Sequence, residues 1–572
     1  MYQLKRNIQA FLLFTVVIFL AGACKKEKNS FSKSDVTAAQ KLIGIEFSGK
    51  TMDTLYPYLQ ENLVGFDSLR KYPLENDVFP AVRFDPLPRN FVPPPQDDFP
   101  IWEVPSNVVL PEQTSALAFY TIPQLASLIK SRKITSLELT EFFIGRIKKY
   151  DSVLQSTITI TEELAIKQAK KMDQELADGN YRGILHGIPY GVKDLMAVNG
   201  YKTTWGAEPY KDQEIKVTAT VVEKLQAAGG VLIAKLVSGS LARGDVWFGG
   251  KTKNPWDLEE GASGSSAGSG SATSAGLVPF ALGTETLGSI ISPSTANGIT
   301  GLRPTYGRVS RHGVMTLSWS MDKVGPMARS AEDCAIVYSI IIGKDPKDQT
   351  TTNFDFGFDE KKDFKSLRVA YLKEDIEKDT TEHKENMKKA IETFKNMGVD
   401  LTEINLPAAI PFKSFDIILR AEAGAFFDDL VRLGGVDTMV EQDQKSRANS
   451  LRQSRFIPAV EYIQANRHRQ VLIEQMHALI KDFDVIISPT FGNNQLLITN
   501  LTGHPAISVP TGLDVEKHPT SMTLVGNLYD EASILLLAKA FQEATSFDEL
   551  HPEGFQSEDK SRPLKPSVHP TN

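Results

Sequence analysis

Residues 263–305 read SGSSAGSGSATSAGLVPFALGTETLGSIISPSTANGITGLRPT and are the most informative part of the chain. The first part contains almost only Ser, Gly, Ala and Thr, a composition that is typical of a flexible linker. It continues without a break into the apolar run Leu277–Leu282, which is typical of a buried strand. Since a linker has no reason to end inside a core, we predict a small-residue helix packed closely against a strand.

Two glycine-rich turns accompany this helix and strand, and both carry serine. The first turn, GSSAG at 264–268, contains Ser265 and Ser266, and the second turn, GTETLGS at 283–289, ends at Ser289. Ser289 follows Ser265 by 24 residues. Hydroxyl groups at the mouths of such turns are candidates for nucleophilic catalysis.

These turns, their spacing and the segment GIPYGVKD at 187–194 resemble the signature sequence of the amidase signature family. The resemblance covers roughly residues 121–550, and further family-like segments lie at 301–310, 324–329 and 503–510. It implies an α/β fold with a single large twisted mixed β-sheet covered by helices on both faces. The strand-like runs 231–236, 367–372 and 485–488 alternate with helical stretches, which also favours α/β layering.

Amide hydrolysis needs an activated nucleophile, a proton carrier and a site that stabilises an anion. The chain has nine histidines, and none lies in these motifs, so a Ser-His-Asp triad lacks a nearby base. A lysine can replace histidine if burial lowers its pKa from about 10.4 by a few units. Lys193 has apolar neighbours that fit this requirement.

The resemblance assigns a role to each residue of a Ser–cis-Ser–Lys triad. It implies that Ser289 attacks the carbonyl carbon, that Ser265 passes on the proton, and that Lys193 receives it. It also implies a cis peptide bond at Ser265. Ser266 and Glu285 are expected to support the triad.

The developing oxyanion needs preorganised donors, and the second turn can supply them from its backbone. We predict that these donors are the N–H groups of Thr286, Leu287, Gly288 and Ser289. One such donor lowers the barrier by about 3 to 4 kcal/mol. No side chain is required, so Leu287 is tolerated in place of the usual glycine, although it narrows the pocket.

Three further positions depart from the family pattern. Glu285 stands where most members have Asp, and Ala267 replaces a glycine beside the bridging serine. Ile291 stands where many members have Arg, so a supporting cation is expected to be missing. Other subgroups carry a comparable turn, and we interpret these changes as features of a branch rather than as loss of activity.

A different hydrolase fold is the first alternative. The turn at 264–268 also fits Gly-x-Ser-x-Gly, the nucleophile elbow of α/β-hydrolases, with Ser266 as nucleophile. That elbow must follow a buried strand, whereas the preceding segment 254–261 is polar and turn-like. The sequence therefore favours the amidase interpretation over the elbow.

The predicted function is hydrolysis of a carboxamide C–N bond in a small-molecule or peptide substrate. One alternative is a glutaminase-type subunit of an amidotransferase, which the segments 253–256 and 306–310 favour. The export signal described below and the absence of that subunit's pocket segments around 412–430 oppose it. A second alternative is a non-catalytic, lipid-anchored binding protein on the same scaffold.

Composition limits the partners of this 572-residue chain. A hydrophobic fraction of 41% allows a substantial core, and a net charge of −7 without a basic cluster gives no sign of nucleic-acid binding. Only Cys24 and Cys334 are present, which excludes an intramolecular disulfide framework. We predict no metal and no cofactor. The sequence leaves open whether the chain forms a homodimer.

The N-terminus predicts export and lipidation. Lys5 and Arg6 precede the apolar run 11–23, which is too short to span a bilayer as a mature helix. The segment LAGACKK at 20–26 resembles a bacterial lipobox, in which Cys24 becomes the lipidated first residue. We therefore predict a membrane lipoprotein of the bacterial cell envelope that faces the periplasm or the cell exterior.

The predicted domain organisation has four parts. They are a signal peptide (1–23), an N-terminal extension (24–112), a catalytic domain (113–555) and a polar tail (556–572). Within the extension, residues 36–70 have helical apolar spacing and residues 73–111 are rich in proline and should be extended. Within the catalytic domain, Thr121 and the box Thr135–Glu138 should start helices. Residues 408–480 look mainly helical, and the resemblance implies that this region shapes the substrate pocket.

Overall fold

The computed structural model describes residues 31–72, 74, 76, 78, 80–89, 91–93, 100–408 and 412–556. The predicted signal peptide, Cys24 and the tail beyond residue 556 lie outside these residues. The chain divides into two compact units, residues 1–75 and 76–572. In the first unit, helices α1 (Lys33–Ile43) and α2 (Gly49–Leu69) confirm the predicted helical spacing.

The described residues of the larger unit form one mixed sheet of 11 strands and a separate two-stranded hairpin. The strands are β1 (Thr157–Ile160), β2 (Pro189–Lys193), β3 (Val231–Leu236), β4 (Val246–Trp247), β5 (Gly250–Lys251), β6 (Phe280–Glu285), β7 (Thr300–Arg303), β8 (Lys323–Ala328), β9 (Val369–Tyr371), β10 (Leu401–Glu403), β11 (Val485–Pro489), β12 (Ala506–Leu513) and β13 (Pro519–Gly526). Their order is β1-β3-β2-β6-β8-β7-β12-β13-β11-β9-β10, and β4 pairs with β5.

Parallel pairing occurs on both sides of an antiparallel centre. β3, β2 and β6 are parallel to one another, as are β11, β9 and β10. The pairs from β6 through β8, β7, β12 and β13 to β11 are antiparallel. This large mixed sheet with helices packed around it confirms the predicted fold class.

The larger unit also contains α-helices and short 3₁₀ helices. The α-helices are α3 (Ile122–Lys130), α4 (Ser136–Leu154), α5 (Glu162–Ala177), α6 (Thr220–Ala227), α7 (Ala267–Ser274), α8 (Ile291–Ala296), α9 (Ala331–Ile341), α10 (Lys373–Lys378), α11 (His383–Asn396), α12 (Asp416–Phe426), α13 (Asp428–Arg432), α14 (Arg447–Ser454), α15 (Ala459–Ile480), α16 (Gln495–Thr502) and α17 (Glu531–Thr545). Short 3₁₀ helices lie at Thr114–Phe119, Glu208–Tyr210, Phe364–Ser366, Phe412–Phe415, Gly435–Thr438, Phe547–Glu549 and Glu553–Phe555. No helix of the described residues has the length and apolarity that a membrane crossing requires.

Helix capping follows the sequence closely. Thr121 caps α3 and Thr135 caps α4, in both cases with a reciprocal capping box. Each threonine accepts a backbone N–H at the third helical position, and the side chain there, Gln124 or Glu138, accepts the N–H of the threonine. Both predicted helix starts are confirmed.

The small-residue helix α7 packs as closely as its composition predicts. A Cβ at Gly268 would lie 2.2 Å from the carbonyl oxygen of Ser156 and 2.3 Å from the backbone nitrogen of Val237. The strand beside it is shifted from the predicted run 277–282 and spans β6. Its end is later than predicted because pairing with β8 continues as far as Glu285, which lies opposite Lys323, so the strand extends into the polar turn.

The proline-rich stretch joins the larger unit. Its described residues between 76 and 112 form no helix or strand, as predicted. Phe84 packs against Tyr306, and the Arg469 guanidinium lies 3.5 Å from the centre of the Phe84 ring. The Trp102 indole donates to Ser339 Oγ at 3.0 Å. The boundary between the two units therefore falls inside the predicted extension.

Candidate active site

Two parallel strands end side by side and set the position of the candidate active site. β2 and β6 are neighbours in the sheet, with Val192 opposite Leu282. Because parallel strands run out at the same edge, Lys193 at the end of β2 lies beside Thr284 near the end of β6. Ligand sites of α/β proteins commonly form at such carboxyl ends of strands.

The amine of Lys193 is buried and contacts three hydroxyl groups. Its Nζ donates to Ser265 Oγ at 2.7 Å, to Thr284 Oγ1 at 2.9 Å and to Ser266 Oγ at 3.1 Å. Lys193, Ser265 and Ser266 are each at most 1% exposed. The structure therefore brings together the predicted base, the predicted bridging serine and one supporting serine.

Burial changes the proton affinity of this amine. Desolvation holds the pKa of Lys193 well below its ordinary value of 10.5. The negative charges of Asp322 and Glu285 raise the pKa, and the positive charge of Arg447 lowers it, but burial is the largest influence. A neutral amine has a lone pair that can take a proton from a hydroxyl group.

The acidic residue nearest to Lys193 in the sequence forms its ion pair with a different lysine. Asp194 follows Lys193 directly, and its carboxylate forms a buried ion pair with Lys235 of β3 at 2.7 Å. The same carboxylate accepts the backbone N–H of Thr204 at 2.7 Å. Lys235 is thereby paired, whereas Lys193 meets only hydroxyl groups within hydrogen-bonding distance in the described part of the chain.

Backbone contacts hold Ser265 in place. The peptide bond between Gly264 and Ser265 is cis, as the resemblance implies. The carbonyl oxygen of Ser265 accepts the N–H of Gly239 at 3.1 Å. A Cβ at Gly264 would lie 1.9 Å from the carbonyl oxygen of Gly244, so only glycine fits before Ser265.

The main chain of Ser289 contacts Ser266, one of the serines beside Lys193. Its carbonyl oxygen accepts the N–H of Ser266 at 3.3 Å. Ser289 is partly exposed, and its Oγ makes no hydrogen bond with any residue that the structure describes. Of the three serines, Ser289 is the one that is partly exposed and whose hydroxyl has no partner among the described residues.

The turn between β6 and Ser289 presents backbone donors. The N–H groups of Leu287, Gly288 and Ser289 make no hydrogen bond to another described residue. Gly288 has a φ of +84°, which glycine adopts without strain. The Thr286 hydroxyl donates to Asp322 at 2.6 Å and ties the turn to the segment before β8.

Glu285 anchors the far end of this turn from a fully buried position. One carboxylate oxygen accepts the N–H groups of Ile290 and Ile291 at 2.8 and 3.0 Å. The other accepts from Arg303 and from the Asn500 amide, both at 2.8 Å. Burial alone would raise the pKa of Glu285, but Arg303 and these hydrogen bonds outweigh it and lower the pKa to about 2.

Arg303 corrects one expectation from the sequence. With isoleucine at position 291, the sequence predicted that the turn lacks a supporting cation. Arg303 of β7 supplies a fully buried guanidinium 2.8 Å from Glu285, and its other end donates to the carbonyl oxygen of His504 at 2.9 Å. A cation is therefore present, but it comes from β7, which is separated from β6 by β8 in the sheet.

The elbow alternative places its nucleophile at Ser266, and the surroundings of Ser266 do not fit that role. Its hydroxyl is fully buried, lies beside Lys193, donates to the carbonyl oxygen of Thr284 at 3.1 Å and accepts the N–H of the same residue at 3.2 Å. No strand lies between residues 252 and 264, which are all described. Ser266 instead ties α7 to β6.

Aromatic side chains pack together next to the loop that follows Lys193. Trp205 contacts Tyr210, Phe426 and Phe427, with ring centres 4.7 to 6.1 Å apart. Trp319 contacts Phe426 at 6.0 Å. Phe426 and Phe427 come from the region 408–480, for which the sequence predicted a role in the pocket.

Sequence reasoning missed the partners that position the turns. Thr284, Asp322 and Arg303 lie in segments quoted for the resemblance or just beside them, but no local signal shows that they meet. Asn500 lies outside those segments. Among the described residues, no group of three or more His, Cys, Asp or Glu side chains is arranged to hold a metal ion.

Comparisons with known proteins show which family the chain resembles. A model of the Amidase family matches residues 138–499. A glutamyl-tRNA(Gln) amidotransferase subunit from Alcanivorax borkumensis is 32% identical over 489 residues, which cover 76% of this chain and 98% of that protein.

Solved structures share the fold. An amidase family protein from Bacillus anthracis has a TM-score of 0.69 at 24% identity, over 77% of this chain and 93% of that one. The native peptide amidase from Stenotrophomonas maltophilia has a TM-score of 0.67 at 24% identity, over 76% of this chain and 98% of that one.

Proposed function

The chain belongs to the amidase signature family and is an amide-hydrolysing enzyme, and we propose that it works through an acyl-enzyme on Ser289. The observation that carries this proposal is the buried amine of Lys193, which contacts hydroxyl groups and has a lowered pKa. Such an amine can serve as the base that a serine nucleophile needs. The proposed substrate is the carboxamide of a small molecule or a peptide.

The proposed reaction has two halves. Ser289 Oγ attacks the carbonyl carbon while its proton moves to Ser265 and the Ser265 proton moves to Lys193. The backbone N–H groups of residues 286–289 stabilise the oxyanion. The C–N bond then breaks as the leaving nitrogen takes the proton back along the same route. Water attacks the ester in the second half, giving the acid and regenerating Ser289.

The nucleophile is tested by covalent labelling. We expect a fluorophosphonate to modify Ser289, because this residue is partly exposed and lies beside backbone N–H groups that have no acceptor among the described residues. Mass spectrometry should place the adduct on the peptide that contains Ser289, and Ser289→Ala should remove it. Ser292→Ala, three residues further on, is a matched control that should still be labelled. An adduct on Ser266, or none at all, would overturn the assignment.

A glutaminase-type subunit is the second candidate, and the identity to the Alcanivorax borkumensis protein favours it. The two candidates differ in what the purified chain does alone. Release of ammonia from simple amides by the isolated chain supports a free-standing amidase. Activity on glutamine that appears only when further proteins are added supports the role of an amidotransferase component. Absence of fluorophosphonate labelling supports the non-catalytic scaffold.

We also propose that the mature chain begins at a lipidated Cys24 and is anchored at the outer face of a bacterial membrane. The small residues before Cys24 support this, together with the apolar run 11–23. Two or three acyl chains give stable attachment, at about 0.8 kcal/mol for each buried CH₂ group.

Replacement of the lipidated residue tests this location. Cys24→Ser should move the enzyme out of the membrane fraction or block its processing, because serine cannot carry the thioether-linked lipid. Fractionation of cells and N-terminal sequencing measure both effects. Cys334→Ser is the matched control and should not change the distribution. A Cys24→Ser protein that stays membrane-bound with the same mature N-terminus would contradict the proposal.

A further inference from the structure

Arg447 is a buried cation that has spare hydrogen-bonding capacity. It begins α14 and is 4% exposed. Nε donates to the carbonyl oxygen of Leu241 at 3.1 Å, and Nη2 donates to that of Ala242 at 3.0 Å. Nη1 is buried and has no hydrogen-bond partner among the described residues. Burying such a charge is costly unless an anion or acceptor meets it.

The acids near Arg447 have partners of their own. Asp322 and Asp416 are the carboxylates whose charges reach this guanidinium. Asp322 accepts from Thr286 and from the backbone N–H groups of residues 317 and 318. Asp416 forms an ion pair with Arg420 at 2.8 Å. Arg447 itself forms no ion pair with a described residue, so its charge is available to a ligand.

The loop that Arg447 holds borders the reacting groups. Ala242 lines a small cavity together with Thr284 and Thr286. Thr284 contacts the amine of Lys193, and Thr286 begins the predicted oxyanion turn. The positive charge of Arg447 also reaches Lys193. The guanidinium therefore lies close to where a bound amide must react.

The aromatic side chains beside this loop also offer donors. The N–H of Leu241 donates to the carbonyl oxygen of Trp205 at 3.0 Å, which joins the Arg447 loop to the aromatic group. The indole nitrogens of Trp205 and Trp319 are buried and have no acceptor among the described residues. The unpaired polar atoms of these three side chains are all donors, so a ligand that fits here supplies acceptor oxygens.

We propose that Arg447 binds a carboxylate on the substrate, so that the enzyme prefers acidic amides. This inference rests on the proposed amidase function. Two guanidinium nitrogens are tied to backbone carbonyls, which fixes the group and leaves Nη1 to meet one carboxylate oxygen. A charge-assisted hydrogen bond of this kind is stronger than a neutral one. Lysine cannot hold the two carbonyls and the ligand in the same planar geometry.

Matched substrates test this preference. The mono-4-nitroanilides of succinic, glutaric and adipic acid are compared with the 4-nitroanilides of butyric, valeric and caproic acid, which lack the carboxylate. We expect wild-type kcat/KM to favour the acidic member of at least one pair. Arg447→Met should reduce that ratio by roughly 100-fold, mainly through KM. Arg447→Lys should retain part of the preference.

The control is Arg452→Met, which removes a partly exposed cation from the same helix and should leave the ratio unchanged. Binding of glutarate, measured by calorimetry, reports on Arg447 without catalysis and separates this inference from the proposed function. If Ser289 is not labelled but glutarate binds to wild type and not to Arg447→Met, the amidase mechanism fails and the carboxylate site stands. No preference for the acidic substrates and no glutarate binding by wild type would overturn the inference, whether or not Arg447→Met folds.

Discussion

Replacing Lys193 with alanine is expected to slow acylation of Ser289 by about 10³- to 10⁴-fold at pH 7. The buried amine is the only basic group among the hydrogen-bond partners of Ser265 Oγ in the described chain. Without it, the proton of the attacking hydroxyl has no acceptor. The rate of fluorophosphonate labelling, in which Ser289 Oγ attacks phosphorus and fluoride leaves, requires activation of the same hydroxyl and does not depend on knowing the natural substrate.

The pH dependence separates loss of a base from loss of structure. Because burial lowers the pKa of Lys193, the wild-type rate should fall as the pH drops through that pKa and the amine becomes protonated. The defect of Lys193→Ala should shrink at high pH, where hydroxide partly replaces the base. Lys193→Arg keeps a cation that cannot give up its proton, so it should be as slow as alanine. A near wild-type rate for Lys193→Ala at pH 7 would contradict the mechanism.

The sequence predicts best what depends on short segments. The turns around Ser265 and Ser289 and the segment GIPYGVKD that contains Lys193 are local patterns, and their order and spacing identify the family and the mixed sheet. Capping boxes at Thr121 and Thr135 likewise place helix starts to the residue. In each case the interactions that determine the conformation join residues that are only a few positions apart in the sequence.

Long-range partners could not be predicted in this way. Arg303 and Asn500 donate hydrogen bonds to Glu285 only because β7 and α16 pack behind the turn at 283–289. Arg447 reaches the loop at 241–242 from more than 200 residues away in sequence. The shift of β6 has the same origin, because pairing with β8 determines where that strand ends.

Replacing Glu285 with glutamine is expected to lower the free energy of unfolding by about 3 to 5 kcal/mol at pH 7. The neutral amide leaves Arg303 buried without its counter-ion. It also has one acceptor oxygen, whereas the carboxylate has two oxygens that accept from the backbone N–H groups of Ile290 and Ile291 on one side and from Arg303 and Asn500 on the other. Urea unfolding of the purified enzyme measures the loss. Because the same carboxylate fixes the turn after Ser289, labelling of Ser289 should slow as well.

The low pKa of Glu285 also predicts how the stability difference between wild type and Glu285→Gln depends on pH. A carboxyl group whose pKa is about 2 in the folded chain and 4.5 in the unfolded chain stabilises the fold above pH 4.5, by roughly 3 kcal/mol. That stabilisation is lost as the pH falls from 4.5 towards 2, so the difference between wild type and Glu285→Gln should narrow across this window. Glu403→Gln makes the same chemical change in an exposed ion pair with Lys373 and should cost at most about 1 kcal/mol. Equal stability of Glu285→Gln and Glu403→Gln at pH 7 would mean that the buried pair with Arg303 does not hold the turn.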